Sequence, residues 1–302
     1  MANITASMVK ELREKTSAGM LDCKKALTAT DGDMEAAVTW LRERGIAKAV
    51  KKEGAVAAEG LCSYAINGNK AVVFELNSQT DFVAQNAKFI DLLTKVGEII
   101  VNSDAQDTEA ALNVAVDGKD LKTVILEASG VIGEKISLRR VTVINKNDDQ
   151  VFGAYKHAGG RIVVVAVLNG NDESVAKDVA MHVAALAPKY VSKNDIPADE
   201  VAKEREVILA AALNENANAA KPKPEQIIAD KIVPGRLEKS LKEICLLSQA
   251  FVKNPDQTVE AFVAGAKSSV STFIRLAVGE GIEKQETDFA AEVAAQTAAF
   301  NK

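Results

Sequence analysis

Asp81 and His157 are the two side chains from which acid–base chemistry could be assembled. A carboxylate and an imidazole at corresponding places in two similar stretches could take up and return a proton. Nothing accompanies them. The chain has two histidines, His157 and His182, and neither has a cysteine or a second histidine at metal-ligand spacing, so no resident metal is expected. Gly130-Val-Ile-Gly-Glu-Lys135 comes nearest to a phosphate-cradling loop and lacks its spacing. No dinucleotide fingerprint and no Gly-x-Ser-x-Gly elbow occurs. Asp31-Gly32-Asp33 begins like a calcium loop, but the remaining ligands do not follow, and it reads as a turn with a helix cap. The expectation is a protein that is not an enzyme and carries no cofactor.

Composition agrees. In 302 residues, 47% are apolar and 26% charged, enough to bury a core in about two domains. No apolar run approaches the ~20 residues of a membrane span. The opening MANITASMVKELREK is charged every few residues, so no secretory leader is expected. Cys23, Cys62 and Cys245 are few and far apart, which fits a reducing, cytoplasmic setting. A net charge of −5 argues against direct nucleic-acid binding, which needs clustered Lys and Arg.

The elements fall into blocks. Residues 1–54 read as three short helices: one capped by Thr5 with Met8, Val9 and Leu12, a second over Met20 to Leu27, and a third from Asp33 with Met34, Ala37, Val38 and Leu41. Gly45 punctuates the third, and Ala47 to Ala58 reads as a solvated connector. So thin a bundle usually docks onto something. Residues 55–146 open with period-two strands, Leu61 to Ile66 and Lys70 to Leu76, around Asn67-Gly68, a two-residue hairpin signal. A helix carrying Phe89, Ile90, Leu93, Val96 and Ile100 follows, and later a strand from Ile136 to Ile144.

That pattern recurs at an offset of 91 residues: Tyr64, Gly68 and Lys70 answer to Tyr155, Gly159 and Arg161, and Ala71 to Leu76 answers to Ile162 to Val167. Thr272 to Val278 supplies the second unit's third strand, with Arg275 matching Arg139. The core is thus α+β, two related sheet-and-helix halves, the second over residues 147–188 and 235–275. All six prolines lie between Pro188 and Pro255. They bound an inserted antiparallel helical hairpin over 189–234, its helices starting at Pro197 and Glu225. Val207 to Leu213 is apolar almost all round, which fits either self-association or further packing onto the core. Residues 276–302 form a C-terminal module.

Aligned at this offset, Asp81 matches Asp172, an acid at a helix start. Phe82 matches Glu173 and has no such excuse: it is either a staple into its own core or an exposed anchor for a partner. His157 falls in the second hairpin's turn and reads as solvated, and His182 as a packed helix residue.

The segments GMLDCKKAL and GDMEAAVTWLRERG, QTDFVAQN at 79–86, IGEKISLRR at 132–140, HAGGRI at 157–162, MHVAALAP at 181–188 and VGEGIEKQETDFAAEVA at 278–294 are similar in order and spacing to bacterial elongation factor Ts. The resemblance implies a ubiquitin-associated (UBA)-like head and a coiled-coil hairpin. It also implies guanine-nucleotide exchange on elongation factor Tu, in its GDP-bound and nucleotide-free forms. Thr80, Asp81, Phe82 and Val83 would enter the partner's G domain near its Mg²⁺ site, with Ile132 and Gly133 beside them. Arg13, Met20 and Leu21 would meet another part of that domain, and the second half, including His157, a different domain. A homodimer through the hairpin is a further expectation. The rival is an adapter that binds elongation factor Tu or another helical partner without nucleotide release.

Overall fold

The computed structural model describes residues 4–16, 18–219 and 221–283, so residues 284–302 of the expected C-terminal module lie outside the described residues. Helices α1 (Ala6–Thr16), α2 (Met20–Ala29) and α3 (Met34–Lys51) enclose a small core of Val9, Leu12, Cys23, Ala26, Leu27 and Ala37. Asp33 caps α3, accepting from the Ala36 amide at 2.9 Å. Next come β1 (Glu59–Asn67), β2 (Lys70–Ser78), α4 (Asp81–Ala84), α5 (Ala87–Val101) and α6 (Thr108–Leu112). A short hairpin of β3 (Ala115–Val116) and β4 (Lys119–Asp120) leads to α7 (Leu121–Ile132) and β5 (Ile136–Asn145). The strand–strand–helix order then returns in β6 (Gln150–His157), β7 (Ile162–Asn169) and α8 (Glu173–Leu186). Helices α9 (Ala198–Ala217), α10 (Glu225–Ile227) and α11 (Val233–Ile244) are followed by β8 (Ala250–Phe251), β9 (Asn254–Thr258), α12 (Val259–Gly265) and β10 (Ser269–Ala277).

The class is α+β, with two antiparallel three-stranded sheets ordered β1-β2-β5 and β10-β7-β6. They face each other across Cys62, Ala71, Val73, Val163, Val165, Val167 and Leu276. The outer face of the first packs Val72, Phe74 and Leu76 on α5 residues Phe89, Leu93, Val96 and Ile100. The outer face of the second packs Val164, Ala166 and Leu168 on Val175, Val179 and Val183 of α8. The layers therefore run helix, sheet, sheet, helix, and period-two alternation sends successive side chains to opposite cores.

The repeat is real in topology, but its register is not a uniform 91. Asn67 pairs with Lys70, while His157 pairs with Ile162, so the second turn is two residues longer. Inner-face residues correspond at an offset of 90 on the first strands (Cys62 to Phe152) and 92 on the second (Val73 to Val165). A one-residue slip turns a side chain to the other face. Tyr64 accordingly packs between the sheets and Tyr155 beneath the helices, and their identity is not structural equivalence. Each third strand also carries a bulge at the same place, with Arg139 the extra residue opposite Glu75/Leu76 and Ser271 opposite Val167/Leu168. Arg275 stands across from Val164, the counterpart of Val72, which faces Val143, so it does not match Arg139. The first turn is also shifted by one residue: Gly68-Asn69 forms it, and Gly68 alone takes positive φ, +57°.

The bulge places both Arg139 and Arg140 on Glu75, which is fully buried. Glu75 also accepts from Asn77 and from the Gly279 amide, each at 2.8 Å. Burial would raise its pKa, but the Gly279 amide, Asn77 and Arg140 outweigh burial and hold it below the ordinary carboxylate value. Arg139 and Arg140 also donate to the Glu280 and Ala277 carbonyls, both at 2.6 Å. The segment after β10 is thereby strapped to the first sheet.

Three expected boundaries move. Helix α3 runs through Gly45 to Lys51, absorbing part of the expected connector, because Gly45 lies against Gly130 of α7. The second hairpin helix does not stop near residue 234. A π-turn at Ile228–Ile232 accommodates Pro234, which has no amide to donate, and the helix continues to Ile244. Residues 276 and 277 belong to β10. Helix α9 packs Ala212 on Ile228 and Val233 in the hairpin's own seam, leaving Val207 exposed.

Candidate functional site

The first half contains an element that the second lacks. Helix α5 is capped by Asn86, which accepts from the Lys88 amide at 2.9 Å. Helix α8 is capped the same way by Asp172, which accepts from the Ser174 amide at 2.9 Å. The caps are counterparts, so Asp172 answers to Asn86 and not to Asp81. Between strand and cap the second half has only residues 170 and 171, whereas the first has residues 79–85, which include all of α4. Thr80, Asp81, Phe82 and Val83 thus belong to an inserted helical turn, and Phe82 has no counterpart at Glu173.

Phe82 is 82% exposed, which removes the staple reading. Its neighbours Val83 and Ala84 are buried and root the turn in the α5 core. Asp81 is exposed in the first turn of α4, where the free amides favour a carboxylate. Thr80 is the cap, accepting from the Val83 amide at 3.4 Å. Its own amide and hydroxyl donate to the two carboxylate oxygens of Glu134, at 3.0 and 2.8 Å. The adjacent Lys135 amide donates to Gln79 at 3.0 Å. Ile132 and Gly133 therefore lie two and one residues, respectively, from a direct contact with the turn. Gly133 closes α7 in the left-handed region.

Asp81, Ala84 and Gln85 line a cleft of about 410 Å³ with Gly60, Ala158 and Gly159. The turn following His157 thus borders the same cleft as Asp81. His157 itself is the exposed last residue of β6, just before the turn. Gly160 explains the approach: it has φ +108°, and a β-carbon there would come within 2.8 Å of the Cys62 carbonyl oxygen on β1. Sequence spacing carried no signal for this proximity, which follows from the two sheets packing face to face. Nor did it single out Glu134 or Gln79.

Arg13, Met20 and Leu21 gather elsewhere. They line a head cleft of about 460 Å³ with Val9, Lys10 and Lys24, and Met20 and Leu21 are exposed. His182 is fully buried. Its Nδ1 accepts from the Val252 amide at 3.1 Å and its Nε2 lies 2.9 Å from Gln249 Oε1, which makes Nε2 the protonated nitrogen of a neutral ring. Burial lowers its pKa against the opposing Gln249 bond. All three cysteines are buried, and burial with the nearby Glu75 charge pushes the Cys62 thiol up to about 12, so it is unreactive near neutrality. Among the described residues no helix is long and apolar enough to cross a membrane.

The described residues thus form an α+β protein that presents a braced aromatic turn and, on a small helical head, an apolar cleft. The elongation factor TS family model matches residues 79–280, and the chain belongs to that family. Membership makes it a nucleotide exchange factor for elongation factor Tu in translation elongation. The matched span includes the Thr80–Val83 turn, Ile132, Gly133 and His157, while the head residues Arg13, Met20 and Leu21 precede it.

Proposed function

We propose that the Thr80–Ala84 turn is the working end of this exchange factor, with Phe82 acting as a wedge at the Mg²⁺ and phosphate site of elongation factor Tu. One observation carries the reading: a fully presented aromatic sits on a turn that the otherwise similar second half lacks. A nucleotide held at nanomolar affinity is bound by about 12 kcal/mol. Faster release needs a partner that favours the emptied site, and by reciprocity bound nucleotide weakens that partner's grip equally. Phe82 parts the elements framing the site, and Asp81 sets a negative charge against its acidic and phosphate surroundings. The head, residues 1–54, serves as a UBA-like docking domain through Arg13, Met20 and Leu21. Ile132, Gly133 and His157 supply further contacts. The hairpin, a coiled coil, offers Val207 for self-association.

Stopped-flow release of a fluorescent GDP from elongation factor Tu tests the wedge. Phe82→Ala should slow stimulated release by about tenfold or more, equivalent to ~1.4 kcal/mol or more of barrier, with the melting temperature unchanged because the ring is exposed. Release at the wild-type rate would sink the wedge. Complex formation with no release by the wild-type chain would instead select the adapter reading.

A further inference from the structure

We propose that Glu134 is the positioning residue for Phe82, holding the Thr80–Ala84 turn in its presenting geometry before the partner arrives. A four-residue helical turn does not sustain itself, and its own cap bond is long at 3.4 Å. Glu134 reaches it from 54 residues away. Its two carboxylate oxygens take both polar donors of Thr80, the amide at 3.0 Å and the hydroxyl at 2.8 Å. Such a forked, charge-assisted arrangement fixes direction as well as distance.

The loop that carries Glu134 is itself fixed. The Ser129 hydroxyl, on a residue only 2% exposed, donates to the Glu134 carbonyl oxygen. The Gly133 amide donates to the Ser129 carbonyl at 2.8 Å. The Lys135 ammonium donates to the carbonyls of Glu53 at 2.6 Å and Ala55 at 2.9 Å, just beyond α3, and Lys52 donates to the Gly133 carbonyl. Residues 133–135 are therefore the junction at which the head helix, α7 and the Phe82 turn meet. A turn ordered in advance spares the complex the entropy of ordering it. Contact free energy gathered elsewhere then goes into distorting the partner's site.

Glu134 acts in this way only if Phe82 is the wedge, so the experiment separates the two claims. GDP release from elongation factor Tu is followed against the concentration of each full-length variant, giving a maximal rate and a half-saturating concentration. Glu134→Ala should lower the maximal rate about tenfold while leaving half-saturation within about twofold, the loss of two charge-assisted hydrogen bonds. Glu134→Gln, whose amide can accept from the Thr80 amide and donate to its hydroxyl, should recover to within about threefold of wild type. Glu134→Asp keeps the charge but withdraws it by one carbon. It should resemble the alanine variant, and it carries the comparison if that variant does not fold. The Phe82→Ala/Glu134→Ala double variant should be no slower than Phe82→Ala alone. A double variant slower by the full single-variant factor, or wild-type maximal rates for both Glu134→Ala and Glu134→Asp, would overturn the assignment. Wild-type release by Phe82→Ala would remove the wedge itself.

Discussion

Asp81 and His182 are titratable side chains with opposite surroundings. Asp81 stands exposed at a cleft, while His182 is enclosed and held neutral by the Val252 amide and Gln249. The histidine makes a pH prediction. Its pKa in the fold lies below the ordinary 6.5, so on acidification the unfolded chain takes up the proton first. Its contribution is complete above the unfolded pKa and is lost as pH falls from there toward the lowered folded value. Melting temperature should therefore drop between about pH 7.5 and about pH 5.5, and His182→Gln should flatten that slope. Identical slopes for the two proteins would remove His182 as the source. Glu75, whose folded pKa is also lowered, acts in a more acidic window, below its ordinary 4.5.

Helices α3 and α7 cross where two glycines meet. At Gly130 an added β-carbon would lie 2.6 Å from the Gly45 carbonyl carbon, whereas at Gly45 it would have 3.6 Å to the nearest atom. The two positions should therefore answer differently. Gly45→Ala gains helix propensity and should stabilise by about 0.5–1 kcal/mol. Gly130→Ala overpacks the crossing and should cost about 1–3 kcal/mol. Denaturant midpoints of the two variants check the pair, and equal effects would contradict the crossing. The crossing is also clamped by Glu127 of α7, which pairs with Arg42 of α3 and with Lys119.

Across the whole molecule, the head cleft and the Phe82 turn are separate surfaces carried by one braced frame. They should therefore control different quantities. Arg13→Ala or Leu21→Ala should weaken association with elongation factor Tu by about tenfold, as loss of an interface contact does, while leaving the maximal release rate near wild type. Titration calorimetry together with the release assay measures both. Unchanged affinity would take the head out of the interface. A loss of maximal rate matching that of Phe82→Ala would merge the two surfaces into one.

Much of this molecule was legible without coordinates, because local patterns report local causes. The 3.6-residue spacing of Met34, Ala37, Val38 and Leu41, the alternation around Asn67-Gly68 and the prolines after residue 187 placed most elements. The exchange function was legible through motif resemblance. What spacing could not supply was register across strands. The two-residue difference between the hairpin turns shifts the halves to offsets of 90 and 92, and only strand pairing reveals it. The true insertion of α4, the exposure of Phe82 and the Glu134 bonds across 54 residues are tertiary facts in the same sense. Sequence determined which segments would bury an apolar face. Packing decided which face each side chain took and which distant loops met, because those depend on distances between elements that no local periodicity encodes.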